Sequence, residues 1–205
     1  MFVSFLNGVI LSSSLIIAIG AQNVFVLQQG LMKNHIFVVC FICFICDAIL
    51  MACGIFGIGG VFAKNENLSF WLGVCGILFL LAFGLNAFIS SFRGSNFAKI
   101  KNAVPQKLSK TALKTLAVTL LNPHVYLDTV VIVGGIGTTL NLQERIYFWL
   151  GSALASFIWF FSLGYGAMKL SKLFMNAKAW RIIDFVVGIF MFYIAFLLIR
   201  FILKI

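Results

Sequence analysis

Two carboxylates stand in this chain where lipid would exclude them. Of its five acidic residues, Glu66, Glu144 and Asp184 fall at the ends of apolar runs, within reach of water. Asp47 and Asp128 do not. Asp47 lies about eleven residues into the apolar run 36–62, close to mid-membrane at about 1.5 Å of rise per residue. Asp128 lies inside the run 113–133. A carboxylate at such depth costs about 2.5–3.5 kcal/mol on insertion scales, and acids kept there by default mark an ion or substrate path. No Lys or Arg lies deep in any run to pair with them. Their expected partners are a cationic substrate or protons, so both are candidates for substrate binding and for proton coupling.

Polar interruptions accompany the acids. Leu121-Asn122-Pro123-His124-Val125-Tyr126-Leu127-Asp128 is the densest polar stretch in any apolar run. Pro123 has no N–H and frees a carbonyl one turn back. Asn122 and Tyr126 add hydrogen-bonding groups, while His124 reads equally well as a packing histidine. Gly20-Ala21-Gln22-Asn23 interrupts the first run. Opened helices are tolerated at membrane depth where they line a cavity. Their free N–H ends suit a carboxylate, and their free carbonyl ends suit a cation. Gln22, Asn23, Asn122 and Tyr126 therefore join the acids as candidate substrate-binding groups, with Gly20 and Pro123 as the helix breaks. Trp159 lies mid-run, away from an interfacial belt, and could stack on a cation or simply pack.

Other chemistries lack their parts. Cys40, Cys43 and Cys46 recur every three residues, but on a membrane helix that spacing makes a face of small residues packing on a neighbour. A thiol carrier would be expected to draw cysteines from both halves, and none follows Cys75. No nucleophile–base set and no cofactor motif is found, so neither an enzyme, a metal site nor a cofactor is expected.

The elements that must hold these residues follow from composition. The chain is 62% hydrophobic and 10% charged, where a soluble domain carries roughly a quarter of its residues charged. Its apolar runs are about 20 residues long, which suits helices and not the roughly ten-residue alternation of barrel strands. The expected fold is an all-α membrane protein of about six transmembrane helices, near 3–27, 36–62, 70–88, 113–133, 147–168 and 182–202. A basic linker, 91–112, divides a first three-helix half (1–90) from a second (113–205). Three spans per half would place the halves in opposite orientations, an inverted repeat. The net charge of +10 would suggest nucleic acid in a soluble protein. Here the charges flank the apolar runs, so the expected partner is the lipid bilayer and not nucleic acid. Eleven of the fifteen Lys and Arg fall on the linker's side, which makes that side cytoplasmic and puts both termini outside. The first run is expected to be a retained span, because no Lys or Arg precedes Lys33 to make the charged start of a signal peptide.

Four segments, in order along nearly the whole chain, resemble one family. They are Gly20-Ala21-Gln22-Asn23-Val24-Phe25-Val26-Leu27-Gln28-Gln29-Gly30, the region of Asp47, Leu121-Asn122-Pro123-His124-Val125-Tyr126-Leu127-Asp128 and Ala155-Ser156-Phe157-Ile158-Trp159-Phe160. Together they resemble the lysine exporter family of bacterial basic amino-acid exporters, most of all its arginine exporters. The resemblance implies a secondary active transporter that moves arginine, and lysine as a further cargo, out across the bacterial inner membrane. It implies alternating access coupled to the proton gradient, as antiport, or to the membrane potential, with a homo-oligomer as a possible assembly. The family usually has Pro where this chain has Ala21, which implies a softer break in the first span. An exporter of another small cation or of a neutral amino acid is the alternative. A metal cargo would favour more His, Cys or carboxylate ligands from both halves, and a neutral one would need no second buried acid. A membrane thiol or electron carrier ranks behind both.

Overall fold

The computed structural model describes residues 1–17, 20–58, 66–94, 106–169 and 176–203. Among them the chain is helical, with no strand. In chain order the helices are α1 (Phe2–Ile16), α2 (Ala21–Leu31), α3 (Ile36–Cys53), α4 (Glu66–Arg93), α5 (Leu108–Leu120), α6 (Pro123–Tyr126), α7 (Gly134–Thr138), α8 (Leu142–Lys169) and α9 (Ala177–Leu203). Two stretches are wound wider, as π-helix: Gly54–Ile58 continues α3, and Leu127–Val133 joins α6 to α7.

The distribution of polarity is inside out relative to a soluble protein. Phe2, Phe37, Trp71, Leu113, Leu121 and Ile182 are exposed, while Asp47, Thr119, Asn122, Ser152 and Ser156 are buried. An apolar exterior over a polar interior needs lipid as its solvent. Helix α5 shows this pattern on its own. Thr111, Thr115 and Thr119, four residues apart, face inward, and Leu113, Leu116 and Leu120 face outward.

Among the described residues, Ile36–Gly57, Leu142–Lys169 and Trp180–Leu197 are each long and apolar enough to cross a membrane. Two bent pairs reach that standard jointly, α1 with α2 and α5 with His124–Thr138, which makes up to five spans by length and composition. Helix α4 has 28 residues, and its apolar described part is the shorter Ile77–Arg93. Residues 59–62 and 95–105 of the expected second span and linker lie outside the described residues.

The first expected span is two helices. α1 and α2 meet at 79°, and the break is not soft. Gly20 is the extended residue ahead of α2, with φ −101° and ψ −178°, and Ala21 is the first helical position. Pro123 holds the same position in α6. The N–H of a first helical residue has no intrahelical acceptor, so a proline there is permitted but not required. That is why Ala21 serves. The fourth expected span also exceeds its predicted ends. It runs from Leu108 to Thr138 and bends by 61°.

Close backbone contacts set the arrangement. α1 lies along α8, where Gly8 faces the Phe148 carbonyl and Gly151 faces the Phe5 carbonyl, with no room for a Cβ at either. α4 lies along α9. Helix α3 is the central element, touching α2, α5 and α8. Its cysteine face packs as the spacing suggests: the Cys40 thiol donates to the Phe160 carbonyl at 3.1 Å, and Cys43 faces the Thr119 hydroxyl.

Candidate functional site

The two breaks fall side by side. The chain leaves α1 at Ile17 and restarts at Gly20, and it leaves α5 at Leu121 and restarts at Pro123. Each restart needs caps, and the sequence supplies them. Asn122 Oδ1 accepts from the His124 backbone N–H at 3.1 Å, so Asn-Pro-His reads as cap, first and second helical residues. Asn23 reaches back across its break, and its Nδ2 donates to the freed Ile16 carbonyl at 2.7 Å. Trp159 Nε1 donates to Asn23 Oδ1 at 3.1 Å and holds that amide in place.

A half-open cavity lies between the breaks. Its wall brings together Gly20, Gln22 and Asn23 from the first break, Asn122, His124 and Asp128 from the second, and Asp47 from α3. Leu15, Ile16, Val125, Thr129 and Phe160 complete it. Five residues predicted from sequence, Gln22, Asn23, Asp47, Asn122 and Asp128, thus converge from three separate segments, together with the break at Gly20 and with His124. Pro123 opens α6 beside them. Tyr126 and Trp159 are not in the wall: Tyr126 lies elsewhere on α6, and Trp159 acts on the cavity through Asn23.

The polar groups are arranged asymmetrically. Asp47 is 2% exposed. Its Oδ2 accepts from the Ser156 hydroxyl of α8 at 3.0 Å, while Oδ1 is buried without a hydrogen-bond partner among the described residues. The Gln22 amide lies beside Asp47, and its Nε2 is likewise buried and unpartnered among the described residues. Asp128 Oδ2 stands 3.3 Å from His124 Nε2, one helical turn back, and His124 Nδ1 is the third unpartnered buried atom of the wall. Buried polar groups are ordinarily hydrogen-bonded, so three open ones on one cavity leave hydrogen-bonding capacity for a further polar group. The cavity measures about 40 Å³, room for a few waters at about 10–15 Å³ each and not for a long amino-acid side chain. The described form therefore leaves too little room at its polar centre for such a cargo.

His124 and Ser156 carry more of the site than their sequence reading suggested. His124 had a usable signal: four residues before an intramembrane acid, it shares that acid's helix face. Ser156 had a weaker one, as one of three serines, Ser152, Ser156 and Ser162, in the apolar part of α8.

Known proteins match the chain over almost all of its length. The family described as LysE type translocator matches residues 13–201. A protein named "Putative amino-acid transporter YggA" from Aeromonas salmonicida is 38% identical over 191 residues, 93% of each chain. Two proteins named "Arginine exporter protein ArgO", from Klebsiella pneumoniae and from Escherichia coli strain K12, are each 36% identical over 200 residues, 98% of this chain and 95% of theirs. No solved structure matches.

Proposed function

Because the chain belongs to the LysE type translocator family, we propose that it exports basic amino acids, arginine foremost and lysine as well, across the bacterial inner membrane. It is a transporter and not an enzyme. The observation that carries the cargo assignment is the convergence of Asp47 and Asp128 with both helix breaks on one cavity. At neutral pH such an amino acid carries two cationic groups and one carboxylate. Asp47 offers an open carboxylate oxygen to a cation. The N-terminal end of α2 carries partial positive charge, and the unpartnered Gln22 amide beside it gives the carboxylate a donor. A neutral cargo would leave one acid without a partner.

Export works by alternating access. The cavity widens toward one side and then the other, because as described it is too small for the cargo. The two three-helix halves act as an inverted repeat, and their packing supports this. Each half has one broken span, and each broken span rests on a helix of the other half. Gly30 of α2 meets the Gly164 carbonyl, where a Cβ would lie at 2.5 Å, and Gly134 meets Gly54, where a Cβ would lie at 2.6 Å. The basic linker faces the cytoplasm, and both termini lie outside. Moving a positive charge outward against an inside-negative potential costs about 2.3 kcal/mol per 100 mV, and inward proton movement offsets it.

The test is efflux of radiolabelled arginine from proteoliposomes holding the intact chain, with lysine and leucine in parallel. Arginine and lysine leave faster than from empty liposomes, and leucine does not. Movement of leucine alone, or of none of the three, overturns the cargo assignment.

A further inference from the structure

We propose that the two acids divide the exchange between them: Asp47, fixed by Ser156, holds the cargo's cationic group, and the His124–Asp128 pair carries the proton that travels the other way. This rests on the export reading above and assigns each side of the cavity a task.

The asymmetry of the two acids is the first ground. Asp47 sits in the regular helix α3, with one carboxylate oxygen tied to the Ser156 hydroxyl and the other open in the cavity. A carboxylate held by a hydroxyl donor and left one open oxygen is a fixed acceptor, suited to the N–H groups of a guanidinium or ammonium. Asp128 has a different neighbour. One of its oxygens faces His124 Nε2, and the other nitrogen of that ring, Nδ1, is buried and open. An imidazole with one nitrogen on a carboxylate and the other free can accept a proton at one edge and pass one on at the other.

The backbone under each acid is the second ground. Asp128 lies in the π-helical stretch Leu127–Val133 that follows the break, and the Thr129 hydroxyl bonds back to the Val125 carbonyl at 2.6 Å within it. Such wide turns are irregular segments inside helices and frequent at functional sites. Asp47 lies inside the 18-residue regular helix α3, which packs on both α2 and α8. The fixed acid suits recognition, and the acid on the irregular segment suits loading and release.

The surroundings leave few competitors for the proton. From α3, the titratable group facing the pair is Asp47, and Cys43 faces Thr119 instead. α1 has no titratable side chain, α4 carries Glu66, Cys75 and Arg93, and α5 carries Lys110 and Lys114, none of which lines the cavity. α2, α7 and the π-helical Gly54–Ile58 contribute none. The balance is simple. The pair gains one proton from the outer water and releases one to the inner water, while one cargo molecule of net charge +1 moves outward, so no net charge crosses the membrane.

The test separates two kinds of transport in proteoliposomes of the full chain. Counterflow exchanges labelled for unlabelled arginine and needs no proton, whereas gradient-driven efflux needs one. His124→Gln keeps hydrogen-bonding groups and cannot carry a proton. It should lower gradient-driven efflux about tenfold more than counterflow and flatten the pH dependence of efflux. Ser156→Ala should do the opposite, raising the arginine concentration for half-maximal counterflow about tenfold while the pH profile keeps its shape. Should His124→Gln fail to fold, Asp128→Asn must show the same split. Equal losses of counterflow and efflux in His124→Gln and Asp128→Asn, or a pH profile that follows Ser156 instead of His124, overturn the division of labour. Normal counterflow by the intact chain with either result leaves export standing, and absent counterflow removes both.

Discussion

Asn23 shows what one residue does here. It caps the carbonyl freed at the end of α1, receives the Trp159 indole N–H and forms part of the cavity wall. Asn23→Ala leaves Ile16 O and Trp159 Nε1 without these partners in a largely buried setting. Each group left unsatisfied costs about 1–3 kcal/mol, so the variant should unfold at a clearly lower temperature in detergent than Gln28→Ala, whose side chain lies outside that wall. Equal melting of the two would mean that the cap carries no stability. At this scale the sequence was informative about charge and less so about partners. Asp47 and Asp128 are conspicuous because a carboxylate in an apolar run has a large, local cost. Ser156 is not, because its importance comes from a contact with a residue 109 positions away that no local pattern encodes. Tyr126 was a candidate because it sits among polar neighbours in sequence, yet the helix turns it away from the wall that His124 and Asp128 share.

The elements were legible where the apolar runs are uniform. α8 and α9 contain the expected spans 147–168 and 182–202 with margins at each end. The broken spans were harder. A polar cluster tells that a helix is interrupted, but the angle depends on tertiary packing. The first break shows this, since 79° is reached with Ala21, and no proline, at the first helical position. The position explains it: the first helical N–H has no acceptor to lose. Two substitutions follow. Ala21→Pro should change stability by less than about 1 kcal/mol, because ring and position are compatible. Val24→Pro, three residues on, removes the bond from Val24 N–H to the Gly20 carbonyl at 3.0 Å and should cost about 3 kcal/mol or more. Melting temperatures in detergent, compared with the unsubstituted chain, measure both. A large loss in Ala21→Pro would show that the start of α2 is misplaced.

The whole molecule is organised around its interior. Helices whose outer faces are apolar enclose a centre of amides, hydroxyls and two carboxylates, and both interruptions of the helical frame open onto it. Composition and the long apolar runs made the all-helical membrane class readable. The meeting of the two breaks was not, because 101 residues separate Asn122 from Ala21 and only the fold brings them together. The central claim is that this polar centre is where a cationic amino acid is held during export. The most direct measurement is arginine efflux from loaded proteoliposomes by Asp47→Asn and Asp128→Asn, each first shown to be folded by its elution as a single species. Each substitution keeps the size of the side chain and removes the charge. The account predicts that both lower efflux by at least about tenfold, the scale of a lost charge-assisted contact. Near-normal efflux by either variant would contradict it.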